Sequence, residues 1–93
     1  MLAVDLHIPH SRSLKAKRAA VRPIVEGARR RFGVSASEVD GHDTWQRARL
    51  GFAVVAPSPS QVETLLDRTE RFVWSHTDVE VLAADRHWME LET

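Results

Sequence analysis

The run Ser11-Arg12-Ser13-Leu14-Lys15-Ala16-Lys17-Arg18-Ala19-Ala20-Val21-Arg22 sets hydroxyls and cations beside small apolar residues at helical spacing. Serines at the head of a helix cap its free backbone N–H groups, and those same groups attract anions. A helix N-terminus carries about +0.5 of an elementary charge, so each cation in its first turns costs roughly 0.3–1 kcal/mol. Arg12, Lys15, Lys17 and Arg18 nevertheless gather there, and Arg22 continues the stripe. Between Arg12 and Arg31, eight basic residues stand against one acid, Glu26, in a chain of formal net charge +0. Arg12, Ser13, Lys15, Lys17, Arg18 and Arg22 therefore form a candidate anion or nucleic-acid site, acting through phosphate contacts and not through base reading. Trp45 and Arg47, at the root of a downstream turn, are candidates to join it, because a tryptophan can stack a base.

Each of these residues also has an ordinary structural role. Charge stripes on helices are usually solvated, and Lys15 and Arg18 have Asp40 and Asp43 as possible partners. The commoner role for Trp45 is packing over a sheet edge with its N–H satisfied. Lys17 falls on the apolar side of the helix, where it serves either as a ligand group at the strand ends or as a snorkelling cover for an edge.

Support for catalysis is thin, and no catalytic residue is assigned. The chain has no cysteine, which removes disulfides and thiolate chemistry. Asp40, His42 and Asp43, with His7 and His10, have metal-ligand types, but polar turns commonly have this composition, so no metal and no cofactor is expected. Pro9-His10-Ser11-Arg12-Ser13 lacks glycine and is no phosphate loop. Gly51-Phe52-Ala53-Val54-Val55 looks like an RNA-recognition strand, in which aromatics stack bases. That reading needs Phe52 on an open face, whereas Phe52 shares parity with Ala48, Leu50 and Val54, the set expected to face the helices.

The elements that must position these residues follow from periodicity. Residues 2–8 alternate, with Leu2, Val4, Leu6 and Ile8 on one side, as in a half-buried strand. A helix follows to about residue 31, with Leu14, Val21, Ile24, Val25 and Ala28 on its buried side and Pro23 and Gly27 facing solvent. A strand is predicted over 32–39, its alternation broken at Val39 by a bulge near Glu38. Asp40-Gly41-His42-Asp43 is a hairpin turn, and a third strand spans about 44–56. Pro57-Ser58-Pro59-Ser60 starts a second helix with Val62, Leu65, Leu66, Thr69, Phe72 and Val73 on one stripe. A last strand begins near Asp78, with another bulge placed at Arg86-His87.

The order βαββαβ predicts an α+β, ferredoxin-like sandwich: a four-stranded antiparallel sheet with both helices on one face. Its 93 residues, 43% hydrophobic and 28% charged, suit one globular domain, 1–93. In this arrangement the start of the first helix, the hairpin tip and the end of the second helix, with Trp74 and His76, should meet at one basic end. The open face, carrying Ala3, Ala53, Val55 and Leu82, is small-sided and suits a second copy of the chain. No apolar run reaches the ~20 residues of a membrane span, and Asp5 and His7 interrupt the N-terminal apolar run, against a signal peptide.

Three motifs in order, Ser13-Leu14-Lys15-x-Lys17-Arg18, Phe32-x-Val34-Ser35-x-x-Glu38-Val39 and Asp43-x-Trp45-Gln46-Arg47-Ala48, resemble those of the YlxP-like proteins, domain of unknown function 503. The resemblance covers nearly the whole chain. It implies a ferredoxin-like fold and a small cytoplasmic bacterial protein. In that family the gene often lies near those for initiation factor two and ribosome-binding factor A, so RNA or ribosome-associated factors are the implied partners. It implies no established activity. The expectation is a non-catalytic binding module for RNA or ribonucleoprotein, or a protein-interaction domain or homo-oligomer.

Overall fold

Alternation in the first residues builds a strand at the heart of the sheet. In the computed structural model, which describes residues 1–41 and 44–89, strand β1 (Leu2–His7) leaves Leu2, Val4 and Leu6 with no exposed surface. It pairs antiparallel with β3 (Arg47–Ala53) on one side and β4 (Glu80–Arg86) on the other. β2 (Ser35–Asp40) pairs with β3 at the far edge, giving the order β2-β3-β1-β4 among the described residues. Helices α1 (Leu14–Phe32) and α2 (Pro59–Trp74) complete the βαββαβ order. One buried cluster joins Leu2, Val4 and Leu6 to Leu50 and Phe52 of β3, Ile24 of α1, and Leu66 and Val73 of α2. The fold is the ferredoxin-like α+β sandwich expected.

Phe52 lies opposite Leu2 and is fully buried, so the strand presents no aromatic platform for bases. The open face carries a charged centre instead. Arg49 donates to Asp5 at 2.7 Å and lies 4.0 Å from Asp85. The bond to Asp5, then the fields of Asp5, Asp85 and Asp40, raise the Arg49 guanidinium above its ordinary pKa.

Several boundaries differ from the sequence expectation. Phe32 is the last residue of α1, not the first of a strand, because Gly33 (φ 66°) closes the helix with its N–H on the Arg29 carbonyl at 3.0 Å. β3 is shorter than 44–56, because its pairing with β1 runs only from His7–Arg47 to Leu2–Phe52. The register does shift between Glu38 and Asp40, as the broken alternation at Val39 requires, and Val39 packs over Gly51. In β4 the bulge falls at Leu82, not at Arg86-His87: Asp5 opposes Ala83 and Leu6 opposes Val81. Arg86 stays in register opposite Leu2, held by Asp67 at 2.7 Å and Glu70 at 3.3 Å on α2. These bonds, that to Asp67 foremost, raise the Arg86 guanidinium above its ordinary pKa.

Gly27 is the clearest reversal. It is buried, not solvent-facing, because α2 covers a second flank of α1 that a single-helix wheel cannot anticipate. A Cβ there would lie 2.5 Å from Cζ of Phe72. The Phe72 ring meets Phe32 edge-on at 5.8 Å, takes the Arg31 guanidinium over its face at 4.8 Å, and touches the His76 ring. The end of α2 therefore packs on the second half of α1. Trp74 lines a groove with Asp67, Glu70, Arg71 and Arg86. Neither Trp74 nor His76 joins the start of α1, where the element order alone places them.

Candidate nucleic-acid interface

Backbone bonds fix the loop before α1. The Ile8 N–H donates to the Gln46 carbonyl at 2.9 Å, and the Gln46 side chain returns bonds to the carbonyls of Pro9 and Ser11. Ser11 is buried, its hydroxyl on the Ser13 carbonyl at 3.1 Å. Ser13 is the N-cap, accepting from the Ala16 N–H at 3.0 Å. Both hydroxyls that the sequence offers to an anion thus serve the local fold first.

Lys17 stands apart from the other candidates. It is 1% exposed and its ammonium donates to Glu38 Oε2 at 2.9 Å and to the Gly41 carbonyl at 2.7 Å, with the Arg47 carbonyl at 3.4 Å. The covered-edge reading of Lys17 describes this geometry, and a ligand on the surface does not reach it. The apolar face of α1 carries Lys17 onto the sheet, where hairpin carbonyls replace water around the charge. Its effect is to bring the hairpin root against the start of α1, as the topology required.

Around this pin the remaining candidates are open to solvent. Arg12, Lys15, Arg18, Arg22 and Arg47 are exposed. Among the described residues no carboxylate pairs with Arg12, Lys15 or Arg18, and Arg22 lies 3.9 Å from Glu26. Asp40, one expected partner, turns its carboxylate to the Gly41 N–H at 2.8 Å. Asp43, the other, and His42 lie outside the described residues. The first turn of α1 contains no acid to offset its dipole. Trp45 is 54% exposed, so about half of its surface is open to solvent.

Sequence reasoning missed two features. Arg29 crosses from α1 to the edge strand and donates to the Ala36 carbonyl. Between the two elements lies a groove of about 220 Å³, lined by Val21 and Val25 with Arg18, Arg22, Arg29 and Glu26 around them and Ser37 and Glu38 of β2 opposite. The seven-residue spacing of Arg22 and Arg29 beside Val25 was a signal for it, legible only once β2 is known to be an edge. No group of three or more metal-ligating side chains occurs among the described residues. No helix there is long and apolar enough to cross a membrane.

With this geometry in hand, two likenesses place the chain. The sequence profile of the family described as "Protein of unknown function (DUF503)" matches residues 1–86. The chain is also 38% identical over 76 residues to "Uncharacterized protein YlxP" of Bacillus subtilis (strain 168), covering 82% of this chain and 83% of that protein. The family match extends over the helix start and the hairpin root that Lys17 ties together, and the chain belongs to the YlxP-like DUF503 family.

Proposed function

We propose that this chain is a cytoplasmic, non-catalytic binding module that holds RNA by its phosphates along the exposed flank at the start of α1. The observation that supports the reading is the set of Arg12, Lys15 and Arg18, with no carboxylate partner among the described residues, at a helix end whose dipole disfavours them. Such an arrangement costs stability and is compensated when an anionic polymer arrives. Trp45 and Arg47, brought alongside by the Lys17 pin, add a stacking surface and a further cation. The test is anisotropy of a labelled single-stranded RNA across a salt series. Replacing Lys15 and Arg18 together by glutamate should abolish binding, and neutralising either cation alone should flatten the salt slope by about 0.7. The melting temperature should hold or rise slightly, since glutamate suits the helix start. Unchanged RNA affinity with a lowered melting temperature rejects this reading.

A second reading is a homodimer through the open sheet face. Val39, Val55 and Leu82 are 50%, 90% and 48% exposed, which favours it. Light scattering at high protein concentration decides: strict monomer mass rejects it.

A further inference from the structure

We infer that the groove between α1 and β2 seats one base of the bound strand, with preference for bases that carry an exocyclic amino group. The inference rests on the RNA reading above and names what a flank of phosphate contacts alone would not. At about 220 Å³, the groove is smaller than the ~300 Å³ of pockets that enclose a drug-sized ligand. It accepts one flat ring system. Val21 and Val25, 6% and 9% exposed, form the apolar floor over which such a ring lies.

The rim supplies the charge. Arg18 and Arg22 stand one turn apart, about 6 Å along the helix axis, and both are exposed. Their planar guanidinium groups suit phosphate oxygens bidentately. Arg29 closes the far end while bonded to the Ala36 carbonyl.

An acidic peptide added as a fifth strand is the rival occupant, and the edge argues against it. Arg29 covers the outward carbonyl of Ala36, and the Ser37 hydroxyl takes that of Glu38 at 3.1 Å. Strand addition needs those carbonyls. A base does not.

Base preference follows from Glu26. Its side chain is 59% exposed; Oε1 lies 3.9 Å from Arg22 Nε, a long and solvated pairing that leaves the carboxylate accessible to a ligand. The other wall carboxylate, Glu38, is occupied by Lys17. A carboxylate only accepts hydrogen bonds. Adenine, cytosine and guanine present amino donors, whereas uracil presents mostly carbonyls, which a carboxylate repels.

The experiment is a methyl NMR titration of the full chain with AMP, CMP, UMP and ribose 5-phosphate at one ionic strength. AMP and CMP should shift the Val21 and Val25 methyls and bind about fivefold more tightly than UMP, the low end for a base-edge contact. Ribose 5-phosphate should leave those methyls still. Glu26→Gln, whose amide both donates and accepts, should bring UMP level with AMP. Shifts as large with ribose 5-phosphate, or UMP as tight as AMP in the unaltered chain, overturn the inference. So does an acidic peptide that moves these methyls when nucleotides do not. Silent methyls with labelled RNA still retained remove the slot and leave the phosphate flank standing. AMP binding without RNA retention does the reverse.

Discussion

Replacing Lys17 by methionine tests whether one internal ion pair holds the hairpin to α1. The Lys17 and Glu38 side chains are 2% and 18% exposed, with Nζ and Oε2 2.9 Å apart. Methionine approximates the volume of lysine, so no large cavity adds to the effect. Removing one member of a buried pair costs about 3–5 kcal/mol, chiefly from the charge left behind. Glu38 keeps some exposure to water, which moves the expectation to the lower end. The carbonyls of Gly41 and Arg47 lose a donor as well, at about 1 kcal/mol for each bond unreplaced by water. A loss of about 3 kcal/mol is a large share of the ~5–14 kcal/mol expected for a chain this size. It corresponds to a fall in melting temperature of more than about 10 °C. Urea unfolding gives the free energy directly, with the slope checked for two-state behaviour. Glu38→Gln and the double variant complete a cycle, and the double should recover part of the loss because no lone charge remains. A single-variant loss under about 1 kcal/mol, or coupling near zero, refutes the role given to the pair.

Two further outcomes follow from packing and charge. Gly27→Ala adds a methyl 2.5 Å from Phe72 Cζ; overpacking of about 1–3 kcal/mol should outweigh the roughly 1 kcal/mol gained in helix propensity. Thermal melting should drop by a few degrees and recover when Phe72→Leu is added. Arg49 is raised above the ordinary arginine value by Asp5, so its stabilisation is fully present below that value and is lost only as pH rises through the folded one. Arg49→Gln should therefore shift the urea midpoint equally at neutral pH and at pH ~10, and a shift that fades at the higher pH contradicts it.

Much of the fold was legible because β1, β3 and α2 each keep one period. Leu2, Val4 and Leu6 alternate, and their partners Ala48, Leu50 and Phe52 do so in matching register. The bulge at Val39 was visible as a missed beat. Leu82 gave no such signal, since alanines after it fit either face. Phe32 misled because an aromatic before a glycine reads equally as strand start or helix end, and only the left-handed conformation of Gly33 decides. At the candidate site, the basic stretch was plain in the sequence, but which cations face outward was not. Lys17 and Arg18 are neighbours of like charge, yet one is sealed under the hairpin and the other is open to solvent. That division depends on Glu38 and Gly41, more than twenty residues away.

The bond from Arg29 to Ala36 bears on how this molecule behaves in a crowd. An outermost strand with bare carbonyls is a template on which other chains can lengthen the sheet. Here a guanidinium covers one such carbonyl and the Ser37 hydroxyl another, so β2 is a poor start for fibre growth. Arg29 also brings positive charge to that edge, and like-charged edges repel one another at low salt. This long arginine of α1 thus blunts the edge at which a fifth strand would add, and copies of the chain can crowd together without zipping into one sheet.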